Sequence, residues 1–414
     1  MAHEVPAHTV SIAPLLQKLL RHSHVEADEI AAALALIFDN RLSIAQSASL
    51  LTVLNFSGKD RDPLVLVKCA ERMRDSAAQV DRRALRKAAI SYYNKGGSYE
   101  GGLCDIVGTG GDGHSTFNVS TASSILASSL LMISKHGNRA SSSTSGSSDL
   151  LQSIQPKGPI IEAITSTTLP SVYRNSNYAF LFAPIFHSGM KYVAPIRKDL
   201  GFRTIFNILG PLANPVEGDI EARIVGVAEP SLGPVFAEAL RLNGARKGMV
   251  VCGAEKLDEI SCAGKTYCWR LVENIALAKD QMAKETKSVS VIEFSLQPSD
   301  FGLPAHHLSK VAGGKLPHEN AQILIKLLEN KLSKDDPVLH FVLINTAALF
   351  AISGICDADT SEMGLGDDGK VIQEKGPSGL RWKEGVRRAR WAIESGQALA
   401  SLNNYIEATH SLGA

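Results

Sequence analysis

The sequence predicts an α/β protein, with a small helical N-terminal domain ahead of a large α/β domain built on a mostly parallel central sheet. Three observations predict it. Helical periodicity runs through the first hundred residues. A glycine-rich joint, "NKGGSYEGG" from Asn94 to Gly102, follows and suits a hinge. Beyond it, short β-branched runs alternate with amphipathic stretches, as strands joined by helices do. A chain of 414 residues exceeds the size at which a single core keeps growing. Residues 1–98 are therefore assigned to the helical domain, with a helical contribution from about 190–215, and 99–414 to the α/β domain.

In chain order, Ile12, Leu15, Leu16, Leu19 and Leu20 share one helix face. Ile30, Leu34, Ile37 and Phe38 follow an acidic start, "EADE", which suits a helix N-terminus. "SIAQ", Ser43 to Gln46, matches a capping box ahead of Leu50, Leu51 and Leu54. Asp62 and Pro63 supply an N-cap and an N1 proline before Leu66, Val67, Ala70 and Met73. Past the joint, Leu103 to Val107 is a strand and "STASSILASSLLMI", Ser120 to Ile133, a helix. "LMIS", "ARIVGVA" and "GMVVCG" are further strand-like runs. "AKDQMAKETKS", Ala278 to Ser288, is polar and reads as a surface excursion.

Composition narrows the function classes. Hydrophobic residues make up 44% and charged residues 21%, with a net charge of +1, which argues against a broad nucleic-acid surface. Cys69, Cys104, Cys252, Cys262, Cys268 and Cys356 form no C-x-x-C pair and no zinc spacing, so they read as reduced thiols. "MAHEVPAHTV" lacks the pattern of a secretory signal. "IAAALALIF" and "FVLINTAALFAI" fall short of the ~20 residues that a bilayer needs. A cytoplasmic protein with no membrane or nucleic-acid partner is expected.

The chemistry concentrates in four stretches. "DIVGTGGDGHSTFNVST", Asp105 to Thr121, places a glycine turn between a strand and a helix N-terminus. Free backbone N–H groups and the positive end of a helix dipole suit an anion. The spacing is neither G-x-G-x-x-G nor G-x-x-x-x-G-K-[ST], which disfavours a dinucleotide site or a Walker ATPase. "KHGNRASSSTSGSSDLL", Lys135 to Leu151, is a second donor-rich cluster, expected to face the first at the carboxyl edge of the sheet. "KLDEIS" holds adjacent Asp258 and Glu259, which converge on a Mg²⁺ only in a turn. "MKYVAPIRKDLGFRTIFNILGPLANP" carries Lys191, Arg197, Lys198 and Arg203, one of which would hold an acidic acceptor.

These motifs, with "YRNSNYAFLFAP" and the C-terminal "GGKLPHENA", occur in an order that resembles the anthranilate phosphoribosyltransferase family of tryptophan biosynthesis, over nearly the whole chain. The resemblance implies a homodimer that moves a phosphoribosyl group from 5-phosphoribosyl 1-diphosphate to anthranilate. It implies that Gly108, Gly111, Asp112, Thr116, Asn118, Val119, Ser120 and Thr121 bind the donor. Lys135, His136, Gly137, Asn138, Arg139, Ala140, Ser141, Ser142, Ser143 and Ser147 would line the same substrate. Ser120, Asp258 and Glu259 would hold Mg²⁺, and Gly108, Asn138 and Arg197 would contact anthranilate. Lys135, Arg197, Asp258 and Glu259 would be the catalytic set, with His136 orienting a loop. The chain departs from the family pattern at His187-Ser188-Gly189, Thr144 and Gln152.

Two other readings share the scaffold. A pyrimidine nucleoside phosphorylase typically opens its phosphate loop with Lys-His-Ser-Thr-Gly-Gly, where this chain has Ile106-Val107-Gly108-Thr109-Gly110-Gly111. A non-enzymatic nucleic-acid-binding relative needs a strongly basic groove, and a net charge of +1 does not favour one.

Overall fold

The computed structural model describes residues 9–90, 96–139, 146–274 and 289–412. The N-terminal helices are α1 (Ala13–Leu20), α2 (Ala27–Phe38), α3 (Ile44–Ser57) and α4 (Pro63–Asp75), followed by α5 (Arg82–Ile90). Asp62 caps α4 by accepting from Leu64 N and Val65 N, with Pro63 at N1 as expected. Ser43 caps α3 by accepting from Gln46 N. Only this half of the expected capping box forms. The Gln46 carboxamide instead accepts from Ile12 N at 2.7 Å, which ties the start of α1 to α3.

The remaining elements are β1 (Leu103–Gly108), α6 (Val119–Ala127), β2 (Met132–Gly137), α7 (Ser147–Gln152), α8 (Leu169–Val172), β3 (Tyr178–Phe182), α9 (Ala183–Phe186) and α10 (Met190–Leu200). Then come β4 (Ile220–Gly226), α11 (Leu232–Leu242), β5 (Lys247–Gly253), β6 (Thr266–Glu273) and β7 (Val289–Leu296). The chain closes with α12 (Pro317–Leu328), α13 (Pro337–Ser353), α14 (Trp382–Glu394) and α15 (Gln397–His410). The helix expected over Ser120 to Ile133 stops at Ala127. Ser128 and Ser129 turn their hydroxyls back onto Ile125 O and Leu126 O, and Met132 and Ile133 enter β2. Within the glycine-rich joint, Gly96 and Tyr99 form a tight bridge; Asn94 and Lys95 lie outside the described residues, as does the Ala278–Ser288 excursion.

The seven strands run in the order β3-β2-β1-β4-β5-β6-β7. All pairs from β3 to β5 are parallel, and β6 and β7 add an antiparallel edge. The chain leaves β1 toward β2 and β3 on one side, and later fills β4 and β5 on the other. The strand order therefore reverses between β1 and β4, the place where open parallel sheets take ligands. The stretch "FVLINTAALFAI" lies inside α13, where every residue from Leu339 to Ser353 is buried. A helix that is apolar all round belongs in a core, and no described helix is long and apolar enough to cross a membrane.

Two hydrophobic cores organise the molecule. One joins α6, α13 and α14 to the sheet, and takes in Leu85 and Ala88 of α5. The other joins α1–α4 to Val193, Ile196 and Ile205–Leu212, and runs on to α11 and one face of β4–β6. Phe38 meets Phe206 edge to face at 5.7 Å, so α10 and the turn after it lie on the helical bundle.

Candidate active site

β1 and β4 end side by side, with Gly108 opposite Gly226. The lack of side chains there admits a third backbone. A methyl group at Gly108 would run into the Asp258 carboxylate, and one at Gly226 into the Asp258 carbonyl. Asp258, on the turn after β5, thus fills the notch between the two strand ends. Its Oδ2 accepts from Gly110 N at 2.6 Å. Gly110, Gly111 and Gly113 take φ of +69°, +74° and +79°, a backbone that glycine adopts without strain.

This turn carries Asp112 to the same spot. One carboxylate oxygen from each of Asp112, Asp258 and Glu259 lies within 4.8 Å of the others. Burial, and then the charge of Asp112, push the Asp258 carboxyl up to about 7. Burial, and then Asp258, raise Glu259 well above its ordinary range. Glu259 Oε2 is buried without a hydrogen-bond partner among the described residues. Three hard oxygen donors crowded together, with an orphaned oxygen among them, fit a divalent cation such as Mg²⁺. Asp112, assigned from sequence to the donor alone, joins this cluster.

Lys135 supplies a buried positive charge that interacts with Asp258 and Glu259. It belongs to β2 rather than to the loop after it, and is 1% exposed. Its ammonium donates to Ile106 O at 2.8 Å and to Ser120 Oγ at 3.3 Å. Burial pulls its pKa down to about 8, while Asp105, Glu259 and Asp258 act to hold the charge. Asp105 is itself buried under the site and accepts from Asn214 Nδ2 at 3.0 Å, an anchor that the sequence did not signal.

The described parts of the two donor-rich stretches adjoin at the starts of α6 and α7. Asn118 caps α6 by accepting from Thr121 N, and Thr121 Oγ1 donates to Ser147 Oγ at 2.8 Å. Val119 is buried beneath them. Thr116 bridges to Ala312, which brings the "GGKLPHENA" segment alongside. Gly137 lies against Phe180, with no space for a side chain. Asn138 turns its carboxamide oxygen onto Arg139 N, and the Arg139 guanidinium sits 5.6 Å over Phe182. Ala140, Ser141, Ser142, Ser143 and Thr144 lie outside the described residues. His136 is on β2, buried against His187 with ring centroids 5.1 Å apart. Burial pushes His136 down to about 3 and His187 to about 4, so both rings are neutral at pH 7.

Residues 100–399 match the model of the glycosyl transferase family α/β domain, and residues 13–77 that of its helical bundle domain. The anthranilate phosphoribosyltransferase of Schizosaccharomyces pombe is 37% identical over 375 residues, 90% of each chain. The chain belongs to the anthranilate phosphoribosyltransferase family. The Saccharomyces cerevisiae member is 39% identical over 316 residues, 75% of this chain and 73% of its own. A structure of the S. cerevisiae anthranilate phosphoribosyltransferase in complex with PRPP and Mg superposes with a TM-score of 0.77 at 32% identity. That match covers 97% of this chain and 99% of the other. A structure from Thermus thermophilus gives a TM-score of 0.73 at 30% identity, over 95% and 99% of the two chains.

Of the departures from the anthranilate phosphoribosyltransferase pattern, Thr144 lies outside the described residues, and Gly189 has a local explanation. A side chain at Gly189 would lie 2.9 Å from both Phe38 Cβ and Phe38 O, so glycine lets the start of α10 seat on α2. His187 keeps a hydrogen-bonding distance of 3.0 Å from Nε2 to Ala213 O. Gln152 donates to Glu162 in an exposed pair. Arg197, on α10, is half-buried, and its guanidinium forms no hydrogen bond or ion pair among the described residues. Burial, and then the neighbouring Arg203, lower its pKa, so two guanidinium groups stand close together on this side.

Proposed function

We propose that the protein transfers the 5-phosphoribosyl group of 5-phosphoribosyl 1-diphosphate to the amine of anthranilate, releasing diphosphate. The observation that carries this reading is the meeting of the glycine turn, the starts of α6 and α7, a buried lysine and three carboxylates at the strand-order reversal. The relatives with this name support it, among them the S. cerevisiae protein, solved once with PRPP and Mg and once with 4-fluoroanthranilate.

The step breaks the bond from ribose C1 to the diphosphate oxygen and forms a bond from C1 to the anthranilate nitrogen, which then loses a proton to solvent. Asp258 and Glu259, with Ser120 as the resemblance implies and with Asp112 added by its place in the cluster, would hold Mg²⁺, whose contribution would be to neutralise charge on the departing diphosphate. The glycine turn and the α6 N-terminus bind phosphate oxygens through backbone N–H groups. Lys135, kept charged by its carboxylate neighbours, adds a fixed positive charge beneath the leaving group. Arg197 pairs the anthranilate carboxylate and aims the amine. An arylamine is unprotonated at pH 7, so the residues position the reactants rather than abstract a proton. His136 and His187, both neutral, serve as packing and orienting groups.

We also propose a cytoplasmic homodimer joined through the helical bundle. Exposed Leu20, Ile44, Phe56 and Leu64 on α1, α3 and α4 support the interface, and six buried free thiols suit a reducing compartment. The test of the reaction mixes the protein with Mg²⁺, 5-phosphoribosyl 1-diphosphate and anthranilate, and follows anthranilate fluorescence. Loss of fluorescence that depends on all three is expected. A flat trace beside an active control enzyme would overturn the assignment.

A further inference from the structure

The Arg203 guanidinium holds two successive carbonyls of the glycine turn: Nη1 donates to Gly111 O at 2.9 Å and Nη2 to Gly110 O at 3.0 Å. Each carbonyl belongs to a planar trans peptide, whose N–H points the opposite way. Fixing Gly110 O therefore orients the Gly111 N–H, and fixing Gly111 O orients the Asp112 N–H. Neither of these two amides donates to any described residue, so both are free for an anion on the face away from Arg203. The preceding amide, Gly110 N, donates to Asp258. Room for the guanidinium exists because residue 111 is glycine; a methyl group there would collide with Nη1.

Arg203 is in turn tied to the helical bundle. Its carbonyl accepts from Asn55 Nδ2 at 3.1 Å, and the same carboxamide donates to the buried Asp60 at 3.1 Å. The connection runs from α3 through Asn55 and Arg203 to the Gly110–Asp112 amides, and through Gly110 to the carboxylate cluster.

We propose that Arg203 is a positioning residue: it aims the Gly111 and Asp112 N–H groups at the diphosphate of the donor and makes their direction depend on the seat of the helical bundle. The proposal rests on the transfer reaction inferred above. Arginine suits the task because its planar fork spans two acceptors, whereas an ammonium is a point charge.

The test measures binding of inorganic diphosphate with Mg²⁺ by calorimetry to the full chain, for the wild type, Arg203→Lys, Arg203→Ala and Asn55→Ala, with a melting curve for each variant. Both Arg203 variants are expected to bind diphosphate at least tenfold more weakly, and Asn55→Ala several-fold more weakly. The KM for anthranilate should stay within about twofold. Amide exchange of a peptide over residues 105–117 should speed up in both Arg203 variants, while one over β5 is unchanged. Wild-type affinity in Arg203→Lys would mean that charge alone matters and would overturn the positioning role. Wild-type affinity in Asn55→Ala would overturn the link to the helical bundle. Should Arg203→Ala fail to fold, Arg203→Lys carries the test. Diphosphate binding and amide exchange need no turnover, so a wild type that fails to consume anthranilate sinks the reaction while leaving this comparison readable.

Discussion

A carboxylate that accepts from the Gly110 amide, and stands against two strand-end glycines, has little freedom to move. Asp258 is therefore held in one place in the cluster, next to Asp112 and Glu259. Asp258→Asn keeps an oxygen for Gly110 N but removes a charge. Turnover should fall on the order of a hundredfold and the Mg²⁺ concentration for half-maximal rate should rise, as a metal titration of initial rates would read. Unchanged metal dependence would remove Asp258 from the metal site. Arg197 has no protein partner among the described residues to replace a lost ligand. Arg197→Ala should raise the KM for anthranilate by roughly tenfold or more, the worth of one charged hydrogen-bonded pair. The KM for the phosphoribosyl donor should barely move, and equal effects on both would contradict the acceptor role. At this scale the sequence was informative about residue types and less so about their partners. Asp258 and Glu259 were visible as an acidic pair, whereas Asp112 joined them only because three positive φ angles fold the glycine turn back over β5.

At the scale of elements, the site is made by the adjacency of β1, β4 and the turn after β5. Gly226 shows this: it lies in the middle of "ARIVGVA", reads as an ordinary strand residue, and is where the Asp258 backbone crosses. A glycine within a strand is a recognised sign of close approach, but nothing in the local pattern says what approaches. Gly226→Ala forces apart two backbones that lack room for a methyl group. A loss of stability of roughly 1–3 kcal/mol is expected, together with a larger relative loss of activity, because Asp258 moves first. Urea melts beside initial rates would check it; a stability loss with full activity would show that the notch does not set the site. The capping signals ahead of α3 and α4 were legible because they act over a few residues. The partner of Gln46 was not, because Ile12 is 34 residues away.

At the scale of the whole molecule, buried histidines tie stability to pH. The unfolded chain protonates them near pH 6.5, while folded His136 and His187 resist until about 3 and 4. Between these limits the unfolded state binds more protons, so their contribution is present above pH 6.5 and is lost as pH falls, on the order of 1 kcal/mol per pH unit for each ring. Asp258 and Glu259, with raised values, act in the opposite direction. The histidine effect is therefore read as a difference: between pH 7 and pH 5 the wild type should lose more stability in urea melts than His187→Asn. Parallel losses would show that His187 is not held neutral. Oligomeric state also belongs to this scale. Phe56 is 84% exposed on the helical bundle, and Phe56→Asp should shift sedimentation from dimer toward monomer with the fold kept. A wild type that sediments as a monomer would overturn the dimer.

Periodicity, caps and glycine punctuation are local, and they alone determined that a helical segment precedes a mostly parallel α/β segment with glycine-rich turns. The tertiary structure decided the rest: that Lys135 and His136 lie buried in a strand, that Arg203 grips the glycine turn, and that three carboxylates share one notch. The physical reason is distance along the chain. Asp112 and Asp258, or Asn55 and Arg203, are well over a hundred residues apart, and only the sheet order and the two cores bring them within reach.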